Sequence, residues 1–262
     1  MTVEELYGFL EQRVPRSLLA EWDNDGLACL PDPARTVRRV LIALDATEAA
    51  VDRAVSGGFD VLLTHHPLLF RGVKALTPEA NVPRKLLKLA AAGVAAMSLH
   101  TRLDAVAGGV NDVLAGLLGL ADVVPFAPEG EVPCGRIGVL PAPVDARALA
   151  AQAAAVLGTP AVLQIGTGTV QKIAVLGGEG GDFADAARAA GADLFLAGRI
   201  GYHRMLDAAE NGLVAIEAGH YATEFPICHH LQELVRAADA AIEVEILPTA
   251  AIEAVAAKGE NA

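Results

Sequence analysis

Two adjacent histidines, His65 and His66, follow the apolar run Val61-Leu62-Leu63-Thr64. Neighbouring residues of a regular strand point to opposite faces, so both rings can face one point only where the chain turns, and Pro67 favours such a break. Imidazoles just past the carboxyl end of a strand in an open α/β sheet face the crevice where these folds bind ligands. We therefore interpret the pair as metal ligands, with a capping or core role as the alternative.

Two later segments repeat one pattern, a histidine followed four residues on by a carboxylate: His100 to Asp104 and His220 to Glu224. His220 and Glu224 can meet one metal if Glu224 opens the following helix, and Asp104 is a further candidate ligand. For His100 three roles remain open, namely a sixth ligand, a residue that orients a ligand, and a proton shuttle. His203 lies beside Tyr202 at a strand-to-helix turn, where it would face the cleft as a second candidate shuttle.

The number of candidate ligands indicates two metal ions. Three imidazoles and two carboxylates exceed what one zinc ion with an open position needs, whereas they suit two metals about 3.5–4 Å apart that share a carboxylate and a water. Such a pair generates hydroxide at neutral pH and polarises carbonyl or phosphoryl oxygens, which is hydrolytic chemistry. The three cysteines stand far apart, outside any metal-type spacing, so iron, manganese, zinc and cobalt all remain possible.

The elements that must position these residues form a repeat of strands and helices. The first half predicts strand 40–44, helix 48–56, strand 59–63, helix 84–92 and strand 94–99; the second predicts strand 173–176, helix 183–190, strand 193–197, helix 203–211 and strand 213–218. Glycines at 57, 58, 93, 191 and 212 stand where helices need a C-terminal cap. Overlaying the halves by element order places His100 opposite His220.

This repeat predicts an α/β fold of two pseudo-symmetric lobes, with mixed sheets flanked by helices and the metal site in the cleft between the lobes. We expect a first lobe over 1–122 that is interleaved with a C-terminal segment, a connecting segment over 123–168, and a second lobe over 169–262. The boundary is expected in a stretch rich in proline, at 125, 128, 133, 141 and 143.

Length, composition and charge limit the kinds of protein and of binding partner that the sequence is compatible with. A chain of 262 residues with 53% hydrophobic content can bury a large core. Its net charge of -12 opposes attraction to phosphate backbones and anionic lipids, so neither nucleic acid nor a membrane is the expected partner. Glu4 and Glu5 stand where a signal peptide needs positive charge, and no apolar run reaches spanning length, so we expect a cytoplasmic protein.

Several motifs together resemble the Nif-three-like family, whose members are described as dinuclear metal centre proteins or GTP cyclohydrolase 1 type 2 homologues. The motifs lie in order over nearly the whole chain, at 22–27, 64–70, 100–104, 109–112 and 219–224. The resemblance implies a toroidal homohexamer with two metals per subunit facing its cavity, in the short form that lacks an inserted domain. The implied ligands are His65, His66, Asp104, His220 and Glu224.

The resemblance leaves two functional classes open. The first is a metal-dependent hydrolase acting on a nucleotide or phosphoester, with His100 or His203 as the proton shuttle. GTP cyclohydrolysis is one version of this reaction, in which metal-bound hydroxide attacks C8 of the purine and formate is released. The second is a non-catalytic scaffold or a protein that stores or delivers metal. No guanine-reading motif or P-loop supports GTP independently.

Departures from the family pattern affect the substrate side. The glycine-rich turn Gly177-Gly178-Glu179-Gly180-Gly181 replaces a turn that usually contains serine, and it either cradles an anion or is a flexible turn with Glu179 pointing outward. Arg199 stands where the family often has an acid, and it either holds a substrate phosphate or faces solvent.

Overall fold

The first half of the chain alternates strands and helices in this computed structural model, which describes residues 1–129, 132–249 and 252. Its elements are α1 Val3–Arg13, β1 Gly26–Cys29, β2 Arg39–Ala43, α2 Glu48–Ser56, β3 Val61–Thr64, α3 Asn81–Ala92, β4 Ala95–Ser98, α4 Thr101–Ala105, α5 Val110–Leu117 and β5 Ala121–Glu129. Short 3-10 turns occur at Arg16–Leu18 and, in the second half, at Gly181–Phe183.

The second half repeats the alternation. Its elements are β6 Val132–Asp145, α6 Ala146–Val156, β7 Leu163–Ile165, β8 Thr169–Glu179, α7 Ala184–Ala189, β9 Leu194–Arg199, α8 Tyr202–Glu210, β10 Val214–Glu217, α9 His220–Glu224, α10 Ile227–Ala238 and β11 Glu243–Ile246. The last part of the predicted second lobe, at 250, 251 and 253–262, lies outside the described residues. Within the described part, each helix is too short or too polar to span a bilayer.

Two mixed sheets result, and their inner strands have the same order. The five-stranded sheet runs β1-β4-β3-β2-β11 and the six-stranded sheet runs β5-β6-β8-β9-β10-β7. In each, three consecutive strands are parallel, and the strand that precedes them in sequence pairs antiparallel with the last of the three. The prediction of a mixed α/β fold with two sheets flanked by helices is therefore confirmed.

Matching side chains fix the start of the parallel strands in both lobes. Asp60 accepts the backbone N–H groups of Arg38 and Arg39 at 2.8 and 3.0 Å, at the start of β2. Asp193 does the same for Gln171 and Lys172 at 2.9 and 2.8 Å, at the start of β8. The helix-ending glycines 93, 191 and 212 have φ values of 71, 81 and 81°, as a C-terminal cap requires.

The lobes also exchange their last elements. Helix α10, from the end of the chain, packs on β2 and α1 of the first lobe and buries Leu231 and Val235 there, while β11 pairs with β2. Helix α5, from the first half, buries Leu114 against the second sheet, as does Leu118 just after the helix, and β5 pairs with β6. Residues 123–168, expected to connect the lobes, contribute β6, α6, β7 and most of β5 to the second lobe. The chain therefore crosses between the sheets twice, beside the ends of β4 and β10.

Candidate metal centre

The five predicted ligands lie just past the carboxyl ends of three parallel strands. His65 and His66 follow β3, Asp104 lies in α4 directly after β4, and His220 and Glu224 begin and end α9, directly after β10. The first two strands belong to the five-stranded sheet and the third to the six-stranded sheet. The two places where the chain crosses between lobes thus bring the strand ends to one cleft, as the overlay of the two halves predicts.

Local backbone geometry explains how neighbouring residues reach a common point. The chain bends at His65 and His66, where the His66 N–H donates to Leu44 O at 3.0 Å and the Thr64 hydroxyl donates to His66 O at 2.7 Å. His220 and Glu224 share one face because they stand four residues apart in α9. Glu224 therefore ends the short helix that His220 begins, rather than opening the next helix as expected.

The ligand atoms converge around Glu224. Its Oε2 lies 3.0 Å from Nε2 of both His66 and His220, and these two nitrogens are 3.4 Å apart. Its other oxygen, Oε1, lies 3.9 Å from Nε2 of His65. The same nitrogen of His65 lies 3.6 Å from Oδ1 of Asp104. Three groups of candidate ligand atoms follow, each with atoms within 4.8 Å of one another: His66, His220 and Glu224; His65, Asp104 and Glu224; His65, His66 and His100.

Acceptors on the far side of three rings hold them in orientation. Nδ1 of His65 lies 2.9 Å from the Leu99 carbonyl, Nδ1 of His66 lies 2.7 Å from Asp45, and Nδ1 of His100 lies 2.9 Å from Asp23. An acceptor at Nδ1 selects the tautomer that carries its proton there, which leaves the Nε2 lone pair available for a cation. Histidine ligands of metals are held in this way.

The electrostatics of the cluster depend on burial and on Glu224. Burial lowers the pKa of His65. For His66 burial also opposes the charged form, but Asp45 and Glu224 outweigh it and raise the pKa to about 10. Glu224 raises the pKa of His220 against the effect of burial. Burial favours the neutral acid of Glu224, yet the imidazoles of His220, His65 and His66 hold its pKa well below the usual range. A carboxylate buried this deeply requires positive charge beside it.

Two buried polar atoms of the cluster, His65 Nε2 and Glu224 Oε2, lack a hydrogen-bond partner within the described residues whenever the facing Nε2 atoms of His66 and His220 carry no proton. Leaving such atoms unsatisfied costs about 1–3 kcal/mol each. A divalent cation accepts electron pairs from an imidazole nitrogen and a carboxylate oxygen alike, so it would satisfy both atoms. The residues therefore fit metal ions, and His/Asp/Glu donors without thiolate match the predicted donor set.

A glycine and two polar side chains keep the cluster in place. A Cβ atom on Gly178 would lie 2.1 Å from Glu224 Oε1 and 3.2 Å from His220 Nε2, so only glycine fits beside the carboxylate. The Gly178 N–H donates to Thr223 Oγ1 at 3.2 Å, and the Gly177 N–H donates to Asn111 Oδ1 at 2.7 Å. Asn111 in turn donates to the carbonyl of Asp104 at 3.1 Å, which links the two lobes at the site.

The sequence did not assign roles to the residues that hold His66 and His100. Asp45 follows β2 in a loop without a recognisable motif, so its contact with His66 depends on the packing of β2 beside β3. Asp23 and Asp25 lie in the motif at 22–27, which was the available signal. Asp23 accepts hydrogen bonds from the Thr101 N–H at 3.2 Å and from the Thr101 hydroxyl at 2.7 Å. Asp25 accepts the His100 N–H at 2.8 Å and pairs with the buried Arg102 at 2.9 Å. Together they fix the turn that presents His100.

The two predicted proton shuttles lie in different places. His100 is close to the cluster, with its ring centroid 5.3 Å from that of His65 and 5.5 Å from that of His66. His203 is exposed on α8, where its ring contacts Tyr202, and it is not among the residues that line the cleft. A proton shuttle must lie within hydrogen-bonding reach of the reacting atoms, so the geometry within one chain favours His100.

The structure also places the glycine-rich turn at 177–181 and Arg199, for each of which the sequence leaves two roles open. Gly177 and Gly178 belong to β8, and their N–H groups donate within the protein, as does that of Gly180, to the Arg199 carbonyl. The geometry gives no support to an anion cradle formed by these three groups. Glu179 lines the cleft with its carboxylate largely exposed, and Arg199 lies in solvent 3.9 Å from it.

The chain is similar to known proteins over nearly its whole length. A sequence model of Duf34/NIF3 (NGG1p interacting factor 3) matches residues 1–253. The GTP cyclohydrolase 1 type 2 homolog of Streptomyces coelicolor is 36% identical over 236 residues, 86% of this chain and 82% of the relative. The one from Clostridium perfringens is 31% identical over 243 residues, 90% of this chain and 92% of the relative. The crystal structure of the Staphylococcus aureus hypothetical protein SA1388 superposes with a TM-score of 0.87 at 26% identity, covering 97% of this chain and 99% of that one.

Proposed function

The chain belongs to the Duf34/NIF3 family, and from that premise we propose that its cluster is a dinuclear metal centre that serves hydrolysis of a small molecule. The family assignment agrees with the resemblance seen in the sequence. Two relatives named GTP cyclohydrolase 1 type 2 homolog make a nucleotide or a phosphoester the first substrates to test.

The observation that carries the proposal is the position of Glu224 between two sets of ligands. His66 and His220 lie 3.0 Å from its Oε2, whereas His65 lies nearer Oε1, beside Asp104. The first set would hold one ion and the second set another, and Glu224 would belong to both sets. Carboxylates commonly bridge paired ions in hydrolases. Iron, manganese, zinc and cobalt all accept this donor set.

Two divalent ions held there would lower the pKa of water and polarise a carbonyl or phosphoryl oxygen of the substrate. The chain's own contribution is to position groups and to move protons. His100 keeps Nδ1 on Asp23, so Nε2 is the atom that can accept or return a proton in the cleft. Asp23 stays ionised beside His100, because the hydrogen bonds from His100 and Thr101 outweigh the effect of burial and lower its pKa to about 2.

Turnover measured with the metal-loaded protein tests the hydrolase proposal. Nucleotides and phosphoesters form the substrate panel, and the metal content of each sample is measured in parallel. We expect His100→Ala to lose at least about a hundredfold in turnover while keeping its metal, the usual loss for a removed general acid or base. A non-catalytic scaffold, the alternative, predicts metal in both the wild type and His100→Ala and turnover in neither.

We also propose that the chain assembles with itself, as the resemblance to a hexameric family implies. Val124 and Leu163, 54% and 61% exposed, lie on β5 and β7, the two edge strands of the six-stranded sheet. Exposed apolar residues on an edge strand favour pairing with another chain. Light scattering of the purified protein is expected to give about six times the chain mass of 27.0 kDa. A monomeric mass would contradict assembly.

A further inference from the structure

Helix α4 follows a strand of the first lobe, but side chains of the second lobe hold its carboxyl end. The last carbonyls of a helix have no partner within the helix, and here they belong to Asp104 and its neighbours. Asn111, in α5, donates to the Asp104 carbonyl at 3.1 Å. The guanidinium of Arg136, in β6, donates to the carbonyls of Ala105 at 2.8 Å and Val106 at 3.1 Å. The backbone of a predicted ligand is therefore anchored to the opposite lobe.

Both anchoring side chains are buried, with Asn111 1% and Arg136 3% exposed, and both are held by further contacts within the second lobe. Asn111 also donates to the Cys134 carbonyl at 2.6 Å and accepts the Gly177 N–H at 2.7 Å. Arg136 pairs with Asp112 through two contacts, at 2.8 and 3.0 Å, as a buried cation requires. The two side chains therefore tie the end of α4 to fixed points of the six-stranded sheet and of α5.

Glu224, the carboxylate that would belong to both sets of ligands, is held by the same lobe. It ends α9, which packs on β8 and β9 of the six-stranded sheet. A Cβ atom on Gly177 would lie 3.2 Å from Glu224 Cγ, so the strand that donates to Asn111 also lies against this carboxylate. The amide of Asn111 thus contacts the strand beside Glu224 with its oxygen and the backbone of Asp104 with its nitrogen.

We propose that Asn111 and Arg136 are positioning residues, which fix the end of α4 against Glu224 and so set the width of the ligand set that contains Asp104. Metal–ligand distances tolerate only about 0.2 Å, so a small movement of α4 is enough to empty that set. The set of His66, His220 and Glu224 contains no residue of α4, so its ion is expected to remain. This inference rests on the proposed function, because it concerns one of the two ions.

Equilibrium dialysis against Mn²⁺ tests the inference. In both Asn111→Ala and Arg136→Met we expect one ion to bind as in the wild type and the second about 10–100-fold more weakly, the usual loss when a group that orients a ligand is removed. Electron paramagnetic resonance is a second readout, because two neighbouring Mn²⁺ ions couple and a single ion does not. Asn211→Ala is the matched control: its side chain also donates to a carbonyl, that of Asp207 at 2.8 Å, but it is exposed at the end of α8, and we expect both ions to remain.

A double variant separates positioning from a general effect on the fold. If Asn111 acts through Asp104, adding Asn111→Ala to Asp104→Asn causes no further loss of metal, whereas a general effect adds to the loss. Urea unfolding in the presence of chelator shows which variants fold, and Asn111→Ser, which keeps one hydrogen-bonding group, replaces Asn111→Ala if the latter does not.

The outcomes distinguish this inference from the proposed function. A wild type with two ions, beside Asn111 and Arg136 variants that hold both as tightly or lose both to the same extent, overturns the inference alone. A wild type that binds little or no metal overturns the proposed function, and the inference with it.

Discussion

Replacing Gly178 with alanine tests the geometry of Glu224 while every proposed metal ligand keeps its own side chain. Gly178 has φ +67°, and a Cβ there would lie 2.1 Å from Glu224 Oε1, whereas ordinary contact begins near 3.4 Å. The carboxylate must therefore retreat by about 1.3 Å, and metal–ligand distances tolerate only about 0.2 Å. Glu224 is the shared ligand, so we expect bound metal to fall from about two ions per chain to about one or fewer.

Gly58→Ala is the matched control for this variant. Gly58 has φ +66°, and a Cβ there meets nothing within 4 Å. Both substitutions therefore carry the same backbone cost, roughly 1–2 kcal/mol of unfolding free energy, and only Gly178→Ala moves the carboxylate. Urea unfolding in the presence of chelator measures the shared cost, and elemental analysis measures metal. If Gly178→Ala binds as much metal as Gly58→Ala, the placement of Glu224 as the shared ligand is refuted.

Three further predictions concern the groups around the cluster. Asp45→Asn is expected to weaken metal binding about 10–100-fold with the fold intact, because Asp45 orients His66; competition with a chelator measures the change, and an unaltered affinity would exclude that role. In the metal-free protein the raised pKa of His66 adds to the free energy of unfolding; this contribution is complete below about pH 6.5 and is lost as the pH rises through about 10. The urea midpoint should therefore fall between these pH values, and it should fall less in Asp45→Asn, because Asp45 helps to raise the pKa. Asp23→Asn is expected to lower turnover about tenfold or more at unchanged metal content by releasing His100; equal turnover would place His100 outside the reaction.

The parts of the fold that the sequence predicts are those encoded locally. Apolar runs, helix periodicity and the glycine caps define each βαβ unit, and helix 48–56 is predicted to the residue. The placement of α5 on the second lobe has no local signal, because it depends on which sheet covers its apolar face. The segment at 123–168 is expected as a connection because it is rich in proline, although its strands belong to the six-stranded sheet.

The candidate site shows the same division. His65, His66, Asp104, His220 and Glu224 can be chosen from the sequence because metal donors at strand ends have a recognisable pattern, and the structure brings all five together. The role of His203 as a shuttle rested on its place at a strand-to-helix turn, but the direction of a side chain on that turn is set by how α8 packs. Partners such as Asp45 are decided by which strands lie side by side, which spacing along the chain does not reveal.

Metal content per chain tests the central claim most directly. Elemental analysis of the purified protein, beside the Glu224→Ala variant, is expected to give about two ions per chain in the wild type and a sharp fall in the variant, because one carboxylate serves both sets of ligands. Little or no metal in the wild type, even after reconstitution with iron, manganese or zinc, would contradict the dinuclear centre and leave the histidines as structural residues.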